Sequence, residues 1–254
     1  MLLDDIIFNK RQEVTAFKVW LSRQNIDRLI RKAPKPKNFL KIFKKNKLAL
    51  IAEVKKASPS AGMICKNYKP AILAKAYEKK GASAVSVLTD IKYFKGEIEH
   101  LALVRKKIKL PILRKDFIID ASQIFEARIN GADAVLLIAR VLSLADLVKL
   151  LELTNKLGMQ ALVETHDSAD VEKVLKTKAK IIGINNRDLA SLKIDLNTSI
   201  NLIKKYPQLL KRIVVSESGI RTAEDVAKLK VVGVKGILVG ESLLKGKTIK
   251  ELLS

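Results

Sequence analysis

The chain is poor in several residue types, and each shortage narrows what it can be. Among 254 residues there is one cysteine, Cys65, which excludes an intrachain disulfide and a thiolate-rich metal site. The two histidines, His100 and His166, stand far apart and neither has a second histidine at ligand spacing. Each reads as a surface residue or a support behind other groups; Cys65 and the three methionines read as packing. Aromatic residues make up 5% of the chain, with no RNA-binding aromatic signature, zinc knuckle or basic zipper. No apolar run approaches the length that spans a bilayer. Asp4 and Asp5 stand where a secretory signal would carry its apolar stretch. A cytoplasmic protein with no membrane partner is expected.

Acidic residues are also in short supply. The formal net charge is +23, which brings nucleic-acid binding into view. The lysines are, however, interspersed along nearly every helical segment instead of forming one arginine-rich stripe. The densest stretch, from Arg31 and Lys32 to Lys44, Lys45 and Lys47, has little aromatic interleaving. The expectation is a solvated basic surface that attracts small anions, with no nucleic acid bound.

What is present is an alternation. Apolar runs of about five residues begin near Leu48, Ala84, Pro111, Ala134, Gln160, Ile181, Ile213 and Gly236, as buried parallel strands do. Between them lie segments of helical period at 71–80, 98–107, 122–130, 144–157, 169–175, 198–206 and 223–230, and a last helix is expected over 242–253. Three junctions share one logic: Gly81, Gly131 and Gly233 each end a helix, in an expected left-handed conformation, just before a strand. A doubly wound open sheet alternates in the same way, but it normally carries a glycine-rich phosphate turn after its first strand, and here that position holds Lys55 to Ser60. The pattern therefore favours an α/β fold of the (β/α)8 TIM-barrel type, one domain over 1–254, with 1–46 as an N-terminal helical extension. In that extension Leu3, Ile6, Ile7, Val14, Phe17 and Leu21 form a helical stripe, and Pro34 and Pro36 break the chain. Trp20 reads as a packing residue or part of the entrance.

Charged residues do not belong inside a buried strand, so those that follow the runs should sit at the carboxyl ends, where such barrels place their sites. Glu53, Lys55, Ser58 and Ser60 follow the first run; Thr89, Asp90, Tyr93 and Phe94 the second; Arg114, Lys115, Asp116 and Phe117 the third. Glu164 ends the fifth, Asn185, Asn186, Arg187 and Asp188 the sixth, Ser216, Glu217, Ser218 and Gly219 the seventh, and Gly240, Glu241 and Ser242 the eighth. Loops after the seventh and eighth strands commonly form a phosphate site from backbone N–H groups, so Gly219 and Gly240 suggest a phosphorylated small molecule. With no metal cluster in sight, lysine and glutamate are left as acid and base. Burial can lower a lysine and raise a glutamate toward working pH, and Lys55, Lys115, Glu53 and Glu164 could face one substrate.

The motifs in their order resemble the indole-3-glycerol phosphate synthase family: Ile51-Ala52-Glu53-Val54-Lys55-Lys56-Ala57-Ser58-Pro59-Ser60, Leu88-Thr89-Asp90, Leu113-Arg114-Lys115-Asp116-Phe117, Leu162-Val163-Glu164, Gly183-Ile184-Asn185-Asn186-Arg187-Asp188 and Ser216-Glu217-Ser218-Gly219-Ile220, with Val239-Gly240-Glu241-Ser242 closing the set. Ala61, Ile91 and Thr165 depart from common family residues. The resemblance implies a carboxy-lyase without metal or cofactor, a monomer or weak homo-oligomer. It would convert 1-(2-carboxyphenylamino)-1-deoxyribulose 5-phosphate into indole-3-glycerol phosphate. By the same resemblance Lys115 would be the general acid and Glu164 the base of the dehydration, with Lys55 and Glu53 assisting. Ser58, Ser60, Asn185, Arg187 and Ser218 would orient the substrate, Phe94, Phe117 and Leu136 would wall its ring, and Gly219, Gly240 and Glu241 would bind phosphate.

Overall fold

The computed structural model describes residues 2–44, 47–65, 67–189 and 191–254; Lys45 of the basic stretch lies outside them. Eight parallel strands form a closed barrel: β1 (Ala49–Val54), β2 (Ala84–Leu88), β3 (Ile112–Lys115), β4 (Ala134–Ile138), β5 (Gln160–Thr165), β6 (Ile181–Asn185), β7 (Ile213–Glu217) and β8 (Gly236–Val239). Closure comes from β1, which pairs with β8 through Ala49↔Gly236 to Ala52↔Val239 and with β2 through Ile51↔Ala84 to Val54↔Val87. The fold class read from the alternation is thus the observed one, and each strand begins within a residue of its expected start.

Two helices, α1 (Leu2–Ser22) and α2 (Ile26–Lys32), precede the barrel. The outer layer is α3 (Pro70–Lys79), α4 (Glu99–Lys107), α5 (Ala121–Ile129), α6 (Leu144–Lys156), α7 (Ser168–Leu175), α8 (Asn197–Lys205) and α9 (Ala223–Val231). Local chemistry fixes their ends. Asp120 with Gln123 and Thr222 with Asp225 form capping boxes, while Ser143 and Asp167 cap α6 and α7. Gly81, Gly131 and Gly233 adopt φ of 93°, 84° and 90°, the left-handed exits expected at the three repeated junctions.

Two expectations need correction. The last helix is two short ones, α10 (Glu241–Leu244) and α11 (Ile249–Leu253), because Gly246 turns at φ 98° and Thr248 starts a new capping box with Glu251. Trp20 neither packs in the barrel nor stands at the cavity. It stacks on Phe17 of its own helix, with ring centroids 5.3 Å apart, and is 47% exposed. Among the described residues no helix is long and apolar enough to cross a membrane.

Side chains alternate between two cores, as the period of a strand requires. Those facing the helices include Leu50, Ala52 and Val54 of β1 and Val135 and Leu137 of β4. Those filling the barrel include Ile51, Leu113, Ala134, Leu136, Ile138, Leu162, Ile181, Val215 and Leu238. Two residues beyond an interior position, the next side chain again faces inward. That parity carries Glu53, Lys115, Glu164 and Glu217 from Ile51, Leu113, Leu162 and Val215 to the barrel mouth.

Candidate active site

A cavity opens at the carboxyl ends of the strands, lined by residues from β1 to β8 and by Leu2, Leu3 and Ile6 of α1. Every residue to which the family resemblance gives a role lines it: Glu53, Lys55, Ser58, Ser60, Phe94, Lys115, Phe117, Leu136, Glu164, Asn185, Arg187, Ser218, Gly219, Gly240 and Glu241.

At its base, Lys115 Nζ lies 3.3 Å from Glu164 Oε2 and 3.2 Å from Glu217 Oε2. Beside them Lys55 Nζ donates to Glu53 Oε1 at 2.6 Å. Behind Glu164 sits His166, 7% exposed, with Nε2 3.2 Å from Glu164 Oε1 and Nδ1 3.4 Å from Asp170 Oδ2. His166 is therefore a buried support and not a surface group. His100 is also buried, and its Nδ1 accepts the N–H of Glu97 just before α4.

On one wall Phe94 and Phe117 tilt toward each other with centroids 6.2 Å apart. Across the mouth Arg187 donates to Ser60 Oγ and to Leu192 O, each at 3.2 Å, and lies 3.6 Å from Glu241. Asn185 Oδ1 accepts the Arg187 N–H at 3.0 Å, which aims the guanidinium across the opening. After β7 the chain passes through two left-handed residues, Ser218 at φ 67° and Gly219 at φ 80°. A side chain at Ser218 makes this conformation strained. Asn186 holds it by donating to Ser218 O at 3.0 Å and Ser216 Oγ at 2.9 Å, while its own Oδ1 accepts from Ser199.

The matching family model, described as indole-3-glycerol phosphate synthase, spans residues 3–253. The chain belongs to this family. An indole-3-glycerol phosphate synthase of Prochlorococcus marinus is 44% identical over 256 residues, covering 98% of this chain and 87% of its own length. Those of Rhodopirellula baltica and Desulforamulus reducens are 44% and 42% identical and cover 96% and 98% of this chain, with 94% of their own length in each case.

For this member of the indole-3-glycerol phosphate synthase family, two sequence expectations change. The first concerns protonation. Burial pushes the Lys115 ammonium down, but Glu164, Glu217 and Glu53 together hold it above its ordinary value. Burial likewise pushes Glu164 up, yet Lys115 and His166 pull it below the usual carboxylate range. The carboxylate that rises, to about 7, is Glu217, through burial and the like charge of Glu164 against the pull of Lys115. Glu53 falls, because Lys55 and then Lys115 outweigh its burial. His166 is held up to about 9, Asp170 and Glu164 outweighing its burial.

The second concerns membership. Glu217 stands in the centre of the site although its motif is read from the sequence for Ser218 and Gly219 only; its parity with Val215 is the available signal. Thr89, Asp90 and Arg114, grouped with the strand-end chemistry, do not line the cavity. Arg114 alternates outward from Lys115 and is buried against Asp116 at 3.0 Å and Glu126 at 2.7 Å, with Thr89 as an added acceptor.

Proposed function

We propose that the chain acts as an indole-3-glycerol phosphate synthase on 1-(2-carboxyphenylamino)-1-deoxyribulose 5-phosphate. The observation that carries this reading is a lysine shared by two buried glutamates, set between an aromatic wall and glycine loops after β7 and β8. The ring carbon bearing the carboxylate attacks the ribulose carbonyl carbon, and the carbonyl oxygen takes a proton from Lys115. Carbon dioxide then leaves, its bonding pair returning to the ring, and loss of hydroxide and a proton as water completes the indole. Rearomatisation drives the decarboxylation, so no metal or cofactor enters the scheme.

A strongly held proton on Lys115 suits this role. A ground-state carbonyl is too weak a base to take it, whereas the developing alkoxide is basic enough, so the interaction grows toward the transition state. Once Lys115 has given up its charge, its pull on Glu164 ends and that carboxylate becomes a better base for the dehydration. Lys55, tied to Glu53, faces the substrate's carboxylate and phosphate side. Ser58, Ser60, Asn185, Arg187 and Ser218 orient the polar groups, Phe94, Phe117 and Leu136 pack the aryl ring, and backbone N–H groups at Gly219, Gly240 and Glu241 take the phosphate. The reading places the protein in the cytoplasm, in tryptophan biosynthesis, as a monomer or weak homo-oligomer.

Incubation with the aminodeoxyribulose phosphate, without added metal, is expected to give growing indole fluorescence and one equivalent of carbon dioxide. Unchanged substrate after prolonged incubation would overturn the reading. An isomerised sugar without carbon dioxide would assign the cavity to an isomerase.

A further inference from the structure

Helix α1 carries a buried cation that the proposed chemistry does not use. Lys10 is 2% exposed and lies on the same helical stripe as Ile6 and Val14, where an apolar side chain would be expected. Its ammonium is 2.8 Å from Asp116 Oδ1, 3.1 Å from Asp90 Oδ2 and 2.7 Å from Glu13 Oε2. Burial pushes the ammonium down, but Asp116 and Asp90 hold it above its ordinary value, so it stays charged at neutral pH.

The two aspartates open the loops after β2 and β3, and each fixes an aromatic residue of the cavity wall. Asp90 Oδ1 accepts the N–H groups of Tyr93 at 2.8 Å and Phe94 at 3.3 Å. Asp116 Oδ1 accepts the N–H of Phe117 at 2.8 Å, while its Oδ2 accepts from Thr89 and Arg114. One ammonium thereby joins the backbone that carries Phe94, the backbone that carries Phe117, and the helix that brings Leu2, Leu3 and Ile6 to the cavity. An apolar residue at position 10 could fill the same space, but it could not draw two carboxylates from different loops to one point.

We propose that Lys10 is a positioning residue for the aryl end of the substrate, fastening α1 to the loops after β2 and β3 and setting the spacing of the apolar walls. The inference rests on the function proposed above and names a determinant of it on the N-terminal extension. A cluster that only stabilised the fold would affect both ends of the site alike. A positioning residue affects the aryl end selectively, because among the described residues its ion pairs run to Glu13 and to the loops after β2 and β3, and none runs to the glycine loops after β7 and β8.

The test compares two competitive inhibitors in the wild type, Lys10→Met and Lys10→Arg. The product, indole-3-glycerol phosphate, occupies both ends of the site, and inorganic phosphate reports on one. Lys10→Met is expected to raise the product Ki and the substrate KM roughly ten- to hundredfold, as a misplaced wall does. The phosphate Ki should stay within about twofold of the wild type, and Lys10→Arg, which keeps the charge, should recover most of the lost affinity. If Lys10→Met shows no cooperative melting, Lys10→Gln replaces it under the same criteria. A folded variant with both inhibition constants unchanged, or with both raised equally, overturns the proposal while wild-type turnover leaves the function reading standing. Absence of wild-type turnover overturns the function reading and this one with it.

Discussion

Replacing Lys115 by methionine should damage stability as well as rate, and the size of both effects follows from its surroundings. Methionine nearly preserves the length but removes the charge that Glu164 and Glu217 share at 3.3 and 3.2 Å. Both carboxylates are almost fully buried, and Glu217 Oε1 has no hydrogen-bond partner among the described residues. Breaking a buried ion pair from one side costs about 3–5 kcal/mol. In a chain of this size each kcal/mol corresponds to roughly 2–4 °C of melting temperature, so a fall of about 6–20 °C is expected near pH 8. The pH dependence has a definite sign. Glu217 already sits above its unfolded value, at about 7, and loses the attraction of Lys115, which with the smaller pull of His166 opposed this rise. A carboxylate raised in the native state contributes stability that is fully present below its unfolded pKa and is lost as pH rises through the native one. Glu164, which Lys115 holds low, already loses its stabilisation in the variant at about pH 5, so a melting gap is expected there, and the Glu217 contribution should widen it toward about pH 8. Loss of the general acid should lower kcat by roughly 10²–10⁴-fold throughout. Thermal melts across this range, with indole fluorescence at each pH, measure both. A variant that melts with the wild type at every pH would refute the electrostatic account, and near-normal kcat would remove Lys115 from the acid's role.

Glu164→Gln should keep substrate binding and lose rate, a fall in kcat at roughly constant KM; a change confined to KM would leave Glu164 a positioning role only. His166→Asn removes a cation beside Glu164, so the acidic limb of the kcat profile should move to higher pH. Because His166 is raised from its ordinary value to about 9, its contribution to stability is full below its unfolded pKa and lost through about 9, and the melting difference from wild type should shrink over that window. Gly219→Val meets both a left-handed φ of 80° and the Ile194 side chain, and should raise KM and the Ki of inorganic phosphate together. At Gly240 an added Cβ would run into the Glu53 side chain instead, so Gly240→Ala should disturb the Glu53–Lys55 pair and lower kcat as well. Equal effects of the two glycine changes on phosphate inhibition, with kcat untouched in both, would contradict this division.

Much of the site was legible because strands impose a period of two. Once Ile51, Leu113 and Leu162 are taken as barrel-facing, Glu53, Lys115 and Glu164 follow at the mouth without knowledge of any contact. The same arithmetic from Val215 reaches Glu217, and from Leu113 it sends Arg114 outward into a structural ion cluster. What the period cannot supply is the balance of charges among residues that meet only in three dimensions. Read separately, Lys115 looks like a buried lysine with a lowered pKa and Glu164 like a buried acid with a raised one. Together, 49 positions apart and 3.3 Å from each other, they reverse both directions.

The same limit explains why α1 was read as simple packing. Its stripe of apolar residues announces a helix laid on a core, and the stripe is there, but the fourth position between Ile6 and Val14 is Lys10. A lysine on an apolar stripe ordinarily extends its stem along the surface and keeps its head in water. Here the head is enclosed by carboxylates from two loops that lie 80 and 106 residues further on, Asp90 and Asp116. Neither aspartate is free to face solvent, since each also holds backbone N–H groups beside Phe94 or Phe117. Burial of the lysine is thus a consequence of the loop geometry at the barrel mouth, and the extension is tied to the site through charge as well as through apolar contact.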